Sequence, residues 1–171
     1  MQFSVDDKVV HPHHGPGWIA GIERRELLDE AKRYYVIEIP GQRLTLHVPV
    51  RKADEIGMRL VMSESRFPRV LGMLRSRPHL LPNDYRERQE QIWARLKTGR
   101  VMQLARVVRD LTWHRKLAHL TKTDTDYLKK GRNLLAAEMA LVSGDAVSDA
   151  SKLIEATLTT AMASTPNYAE S

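Results

Sequence analysis

Three histidines lie in one short segment near the start of the chain, here the histidine segment, and they are the side chains best suited to bind a metal. His11, His13 and His14 surround Pro12. Imidazole nitrogens bind divalent transition metals, but a tetrahedral site needs further ligands. The chain has no cysteine, and no carboxylate stands nearby at ligand spacing. We therefore expect this segment to form a turn and not a metal site.

Three common motifs of catalytic and phosphate-binding sites are missing from the sequence. It has no glycine-rich phosphate loop, no nucleophile elbow and no His-Glu-x-x-His stretch. The carboxylate pairs Asp6-Asp7 and Asp124 with Asp126 fall in predicted turns, where capping and solvation account for them. We expect neither an enzyme nor a protein with a cofactor.

The positive charge is concentrated in the middle of the chain. Residues 66–132 carry 17 Lys and Arg against six Asp and Glu, whereas residues 1–65 carry nine against ten and residues 133–171 one against five. Positive charge confined to one helical stretch is typical of a surface that binds phosphates. The near-neutral first part then needs a different partner.

The composition is that of an ordinary globular protein, with 42% hydrophobic and 28% charged residues. No apolar run approaches the roughly 20 residues needed to span a bilayer, and the first residues do not resemble a signal peptide. The absence of cysteine fits a reducing compartment. We expect a cytoplasmic protein that has no membrane partner.

Short strands are predicted in the first part of the chain. Leu44, Leu46 and Val48 alternate with polar residues, as a half-buried strand requires. Similar short runs end near residue 10 and cover residues 18–22 and 33–39, whereas residues 11–17, with two prolines and two glycines, are predicted to be irregular. Four or five antiparallel strands in about 50 residues indicate a small β-barrel.

From residue 66 the hydrophobic period changes to that of a helix. Phe67, Val70, Leu71 and Leu74 follow the i, i+3, i+4, i+7 pattern, and four more helices follow. One begins at Tyr85 after Asn83 or Asp84 as N-cap. The others hold residues 101–111, 127–139 and 147–162. The sequence thus predicts an α+β protein, with a β domain at 1–65, a helical bundle at 66–163 and a disordered tail at 164–171.

Nine short segments extend in a fixed order over nearly the whole chain. They are VDDKVV (5–10), PHHG (12–15), AGIE (20–23), YYVI (34–37), VPV (48–50), IGMR (56–59), LKTG (96–99), ARVVRDL (105–111) and LLAAE (134–138). Their pattern resembles the CarD/CdnL family of bacterial transcription regulators. The N-terminal domain of that family resembles the RNA-polymerase-interacting module of transcription-repair coupling factors.

The resemblance implies a Tudor- or SH3-like barrel that docks on the RNA polymerase β subunit. It also implies a helical domain that contacts promoter DNA at the upstream edge of the transcription bubble and stabilises the open complex. Such a protein would be associated with the nucleoid through polymerase, and we expect a monomer. The second hypothesis is an adaptor that binds polymerase without a DNA wedge.

The resemblance also indicates which residues contact polymerase. They are Arg25, Glu26 and Leu27 in the strand after the glycine-rich turn, and His47 in the strand that ends at the Val-Pro step. Relatives commonly carry a basic residue in place of His47. Because imidazole has a reference pKa of about 6.5, it carries only a fraction of a charge at neutral pH. We expect Arg25 to contribute more than His47.

For DNA, the family pattern has a tryptophan wedge at the start of the second helix of this domain, followed by two basic residues. Tyr85 stands at the tryptophan position, before Arg86 and Arg88. A phenol ring can still stack on a base or fill a minor-groove gap, although it offers less area than indole. The alternative is that Tyr85 packs as a staple at the helix start.

Trp93 lies eight residues after Tyr85, about 80° around the helix, and could share the DNA-facing surface. Its neighbours Ile92 and Leu96 instead favour a place in the core. Trp113, which ends an apolar helix face, is also expected in the core.

The expected phosphate contacts combine two groups of basic residues, which are Arg86 and Arg88 beside the wedge and Lys129, Lys130 and Arg132 on the fourth helix. Relatives carry basic residues a few positions earlier in that helix, where this chain has Thr125 and Asp126. Contacts of this kind are largely independent of DNA sequence. For each of these residues the alternative is a solvated surface.

Overall fold

A computed structural model describes residues 2–27 and 30–165 of the chain. The chain divides into two compact units, Met1–Val61 and Met62–Ser171. The first, here the sheet unit, contains a five-stranded antiparallel sheet, and the second, here the helical unit, is built from helices. The α+β fold class predicted from the sequence is confirmed.

The sheet unit has five strands in the order β4-β3-β2-β1-β5. They are β1 (Lys8–His11), β2 (Gly15–Leu27), β3 (Glu30–Ile39), β4 (Leu44–Pro49) and β5 (Arg59–Leu60). Along β4, Val48 is buried and Leu44 and Leu46 are partly buried, while Thr45 and His47 are exposed, so the predicted alternation is confirmed. The core holds the fully buried Tyr35, whose hydroxyl accepts a hydrogen bond from the Phe3 amide at 3.0 Å.

Residues 11–17 are more regular than the sequence suggested. His11 ends β1, and Gly15 to Gly17 already belong to β2, where they pair with His11, Val10 and Val9. On the other side of β2, Gly17 lies against β3, where a Cβ atom on it would be 2.1 Å from the backbone oxygen of Glu38. Strands therefore approach more closely here than side chains would allow.

A short helix, α1 (Ala53–Ile56), joins β4 to β5 and was not predicted, because four residues are too few to show a helical period. All five predicted helices of the second part are present. They are α2 (Phe67–Arg75), α3 (Tyr85–Leu96), α4 (Val101–Leu117), α5 (Lys122–Ser143) and α6 (Val147–Ala163).

The helical unit has one continuous core to which all five helices contribute. Its fully buried members include Leu74, Ile92, Leu96, Leu104, Leu111, Leu135, Met139 and Ile154. Trp113 is buried on α4, as expected. Within residues 2–27 and 30–165, no helix is long and apolar enough to cross a membrane.

The helical unit begins at Met62, four residues before the boundary placed at 65/66 in the sequence. The Met62 amide donates a 2.8 Å hydrogen bond to the buried carboxylate of Glu138 on α5, and its side chain packs in the helical core. Of the tail expected at 164–171, residues 166–171 lie outside the described residues.

Candidate functional site

Arg25 and His47, two of the residues predicted to bind polymerase, lie together on the exposed face of the sheet unit. They come from β2 and β4, which flank β3, and the pairing registers place both side chains on the same face. The Arg25 Nη2 atom lies 2.8 Å from Nε2 of His47. Arg25 donates to this nitrogen when the imidazole is neutral with its proton on Nδ1. The two side chains thus form one polar surface.

Glu23 joins this surface, and sequence reasoning missed it. Its Oε2 atom lies 3.0 Å from Nη2 of Arg25 and 3.7 Å from Nε2 of His47. Glu23 precedes Arg25 by two residues, so strand alternation places both on one face. We call Glu23, Arg25 and His47 the sheet-face cluster.

The other two predicted polymerase contacts are placed differently. Glu26 is exposed, but as the neighbour of Arg25 in the strand it points to the opposite face. Leu27 ends β2, and its side chain lies outside what the structure describes. The β4 strand, which carries His47, pairs with β3 and lies at an edge of the sheet. An edge strand offers backbone groups to an added strand.

In the helical unit, Tyr85 is the first residue of α3 and is 47% exposed. It therefore does not pack as a staple. The Asp84 carboxylate caps the helix by accepting hydrogen bonds from the amides of Arg86 and Glu87, each at 3.0 Å. Arg86 donates from Nε to the Tyr85 hydroxyl at 3.0 Å, and its guanidinium carbon lies 5.4 Å from the ring centroid. Tyr85 and Arg86 form an exposed pair at the start of the helix.

The structure corrects the role expected for Arg88. This residue is only 3% exposed, so its guanidinium is not available to a phosphate. It donates from Nη2 to Oδ2 of Asp124 at 2.7 Å, and from Nη1 to the carbonyl oxygens of Pro82 and Asn83 at 2.9 and 3.0 Å. Arg88 thus ties the segment before α3 to the first turn of α5.

Asp124 is fully buried and belongs to the capping box of α5, in which Thr121 and Asp124 satisfy each other's amides. Burial by itself would raise the pKa of this carboxyl, but hydrogen bonds from Arg88 and Thr121, together with the Arg88 charge, hold it below its ordinary value. The carboxylate therefore stays ionised and keeps its ion pair with Arg88.

The core position favoured for Trp93 is wrong, because the side chain is 41% exposed. The buried stripe of α3 runs through Arg88, Ile92 and Leu96, and Trp93 lies one residue, or about 100°, away from it. Its ring stacks on Tyr127 of α5 with centroids 5.9 Å apart and planes 24° apart. The Lys130 Nζ atom lies 5.5 Å from the Trp93 centroid.

The three basic residues predicted on α5 do not share one surface. Lys130 accompanies Trp93, whereas Lys129 and Arg132 line a groove of about 330 Å³ that also includes Arg115 and Glu155. Arg132 forms an ion pair with Glu155, so its charge is partly balanced. Consecutive residues of a helix differ by 100°, which explains why neighbouring lysines face different ways.

The histidine segment forms a turn. Nδ1 of the buried His11 accepts hydrogen bonds from the amides of His13 and His14 at 3.2 and 3.3 Å. Burial, followed by the charges of His14 and His13, lowers the pKa of His11 to about 4. In the part of the chain that the structure describes, no group of His, Asp or Glu is arranged to hold a metal ion.

Comparison with known proteins matches both units. Residues 3–62 match the family model described as "CarD-like/TRCF RID domain", and residues 69–155 match "CarD, C-terminal domain". The chain is also 28% identical over 144 residues to the protein named "Putative transcription factor YdeB" of Bacillus subtilis (strain 168). This alignment covers 83% of the chain and 93% of that protein. The chain therefore belongs to the CarD family of bacterial transcription regulators, and its sheet unit is a domain of the RNA-polymerase-interacting type.

Proposed function

We propose that this chain bridges RNA polymerase and promoter DNA and thereby stabilises the open complex during initiation. The sheet unit docks on the polymerase β subunit. The helical unit contacts DNA at the upstream edge of the bubble, through the minor groove and the phosphate backbone. The observation that carries the proposal is the exposed Tyr85 and Arg86 pair at the start of α3, which rests on the buried ion pair of Arg88 and Asp124.

Docking through the sheet face is supported by the arrangement of its polar groups. The sheet-face cluster brings a guanidinium, an imidazole and a carboxylate within 4 Å of one another on an exposed surface. His47 of this cluster belongs to β4, an edge strand that can offer backbone groups to a strand of the partner. Backbone pairing supplies affinity, and Arg25 supplies a charged anchor beside it.

Insertion of Tyr85 at the bubble edge requires a rigid support. Unstacking one base step costs on the order of a few kcal/mol, so the wedge residue must be held firmly in place when it contacts DNA. The Asp84 carboxylate caps the first turn of α3. Arg88 donates two hydrogen bonds to the carbonyl oxygens of Pro82 and Asn83, in the segment just before the helix. A phenol on this support can fill a minor-groove gap, and Arg86 beside it can contact a phosphate.

The remaining phosphate contacts come from the basic residues of the helical unit. Lys130 is on the side of Trp93, and Lys129 is exposed on the groove side of α5. We assign them contacts to phosphate oxygens, which position a protein on DNA without selecting a base sequence. Arg132, paired with Glu155, contributes less.

One observation favours the adaptor as the second candidate. Arg86 occupies both the hydroxyl and one face of the Tyr85 ring, so the pair must open before the ring can enter a groove. An adaptor would use the sheet unit alone and leave this pair closed.

The lifetime of the open complex on a short-lived promoter, measured with polymerase from the same organism, separates the two. The bridge lengthens this lifetime, and Tyr85→Ala removes the effect while polymerase binding stays intact. If the wild-type protein binds polymerase and leaves the lifetime unchanged, the adaptor is correct.

A further inference from the structure

We infer that Trp93, Tyr127 and Lys130 form a stacking site for an unpaired DNA base. This inference rests on the proposed DNA contact and deepens it, because it names the form of DNA that the helical unit recognises. It also gives a role to Trp93, which is exposed and is not part of the Tyr85 wedge.

The site is built from two helices. Trp93 comes from the middle of α3 and Tyr127 from the first turns of α5, and their rings are stacked at 5.9 Å. Helices α3 and α5 are held together by the Arg88 and Asp124 pair and by a 3.0 Å hydrogen bond from Gln89 to Thr121. The aromatic pair is therefore in place before any ligand arrives.

Packing does not account for the exposure of Trp93. A tryptophan that served only the core would be covered, yet 41% of this residue meets solvent while Tyr127 supports the ring. A singly exposed tryptophan is common on protein surfaces, but here the ring is stacked on a second aromatic side chain and lies beside a cation, an arrangement that binds bases. An indole with its ring already oriented loses little conformational entropy when a flat ligand stacks on it.

The charge around the ring favours a nucleotide over a peptide. The Lys130 Nζ atom lies 5.5 Å from the Trp93 centroid, and Lys97 follows one helical turn after Trp93. Glu90 precedes Trp93 by about one turn, so Glu90 and Lys97 lie on opposite sides of Trp93 along α3. Because Tyr127 stacks on the indole and Lys130 lies over it, an incoming base would take the place of the Lys130 ammonium on the ring, and that ammonium would then pair with the phosphate of the base. Aromatic faces with adjacent cations are the usual platform for single-stranded nucleic acid.

Only an unpaired base can use such a platform. In a duplex each base face is covered by its neighbours, whereas a separated strand exposes base faces that stack on aromatic side chains. An open promoter supplies such a strand next to the duplex that Tyr85 would touch.

The test measures binding of the full chain to a fluorescently labelled single-stranded oligonucleotide and to the matching duplex at low salt. Trp93→Ala should weaken single-strand binding by about five- to one-hundred-fold, and Trp93→Phe should restore part of it. Leu153→Ala is the matched control, because Leu153 is also a helical-unit residue that is 41% exposed. Duplex binding should change much less.

Lys130→Ala tests the cation. It should weaken single-strand binding and lower the slope of log affinity against log salt by about 0.7. Lys129 lies on a different face of α5, so Trp93→Ala should cause the same fold-loss in a Lys129→Ala background as in the wild-type protein. Thermal unfolding followed by circular dichroism checks that each variant is folded.

Three results would overturn the inference. The first is that the wild-type protein does not bind the single strand. The second is that Trp93→Ala loses equal affinity for the single strand and the duplex. The third is that Trp93→Ala loses polymerase binding while its DNA binding is unchanged, which would make Trp93 a protein contact. These results are separable from failure of the proposed function. If the proposed function fails, the wild-type protein does not lengthen the open-complex lifetime, whether or not Trp93 binds a single strand.

Discussion

Arg88 and Asp124 form a buried ion pair, 2.7 Å between Nη2 and Oδ2, that joins the first turns of α3 and α5. The sequence offers Arg88 as one of several basic residues beside Tyr85, but the structure uses it to hold the helix start from which Tyr85 and Arg86 project. Arg88 thus supports the start of the helix, whereas Tyr85 and Arg86, close to it in the sequence, form the exposed surface.

Removing the arginine of this pair should destabilise the protein strongly. Arg88→Ala leaves the Asp124 carboxylate buried without its partner and should lower the free energy of unfolding by about 3–5 kcal/mol in urea titrations. Arg86→Ala, at the exposed neighbour, should change it by less than about 0.5 kcal/mol. A loss below about 1 kcal/mol in Arg88→Ala would show that the pair does not support the fold.

Gly17→Ala should disrupt the sheet unit. The added Cβ would lie 2.1 Å from the Glu38 carbonyl oxygen, so β2 and β3 would have to separate, at a cost of about 1–3 kcal/mol. Gly21→Ala is the control in the same strand, because nothing lies within 4 Å of its Cβ position. Equal unfolding free energies for the two variants would contradict the close approach.

Stability should fall in mild acid because of His11. Its pKa is lowered from 6.5 to about 4 in the folded chain, so below pH 6.5 the unfolded chain takes up a proton that the folded chain does not. Stability is therefore full above about pH 6.5 and decreases towards pH 4. His11→Asn keeps an acceptor for the two amides and removes the titration. Urea unfolding at pH 7.5, 5.5 and 4.5 should show a flatter pH dependence in this variant, and an unchanged slope would rule out His11 as a cause.

Arg25→Ala should weaken polymerase binding about tenfold, as expected when a charged anchor at an interface is removed. Arg24→Ala supplies a close comparison, because Arg24 is also exposed on β2 but points to the opposite face. Affinity for core polymerase can be measured without DNA by biolayer interferometry. Similar losses in both variants would mean that general charge, and not the sheet-face cluster, provides the affinity.

Much of the fold follows from local patterns. Helix periods, the Asp84 cap and the alternation in β4 are all encoded within a few residues, and each is found in the structure. Gly17 was assigned to an irregular segment because the contact that requires a glycine there is with Glu38, 21 residues further along the chain.

The candidate site was less predictable because it depends on which face each side chain occupies. The spacing of Arg88, Ile92 and Leu96 does place the arginine on the buried stripe, but its partner Asp124 lies 36 residues away. Trp93 looks like a core residue beside Ile92, yet one step around the helix turns it to solvent. The same step separates Lys129 from Lys130.

The most direct test of the bridge is the open-complex lifetime measured as a function of protein concentration. If the sheet unit docks and Tyr85 stabilises the open DNA, Arg25→Glu should raise the concentration needed for half of the effect and leave the maximum unchanged. Tyr85→Ala should lower the maximum at an unchanged half-effect concentration. A wild-type protein that saturates polymerase without lengthening the lifetime, or a Tyr85→Ala variant that reaches the full maximum, would contradict the account.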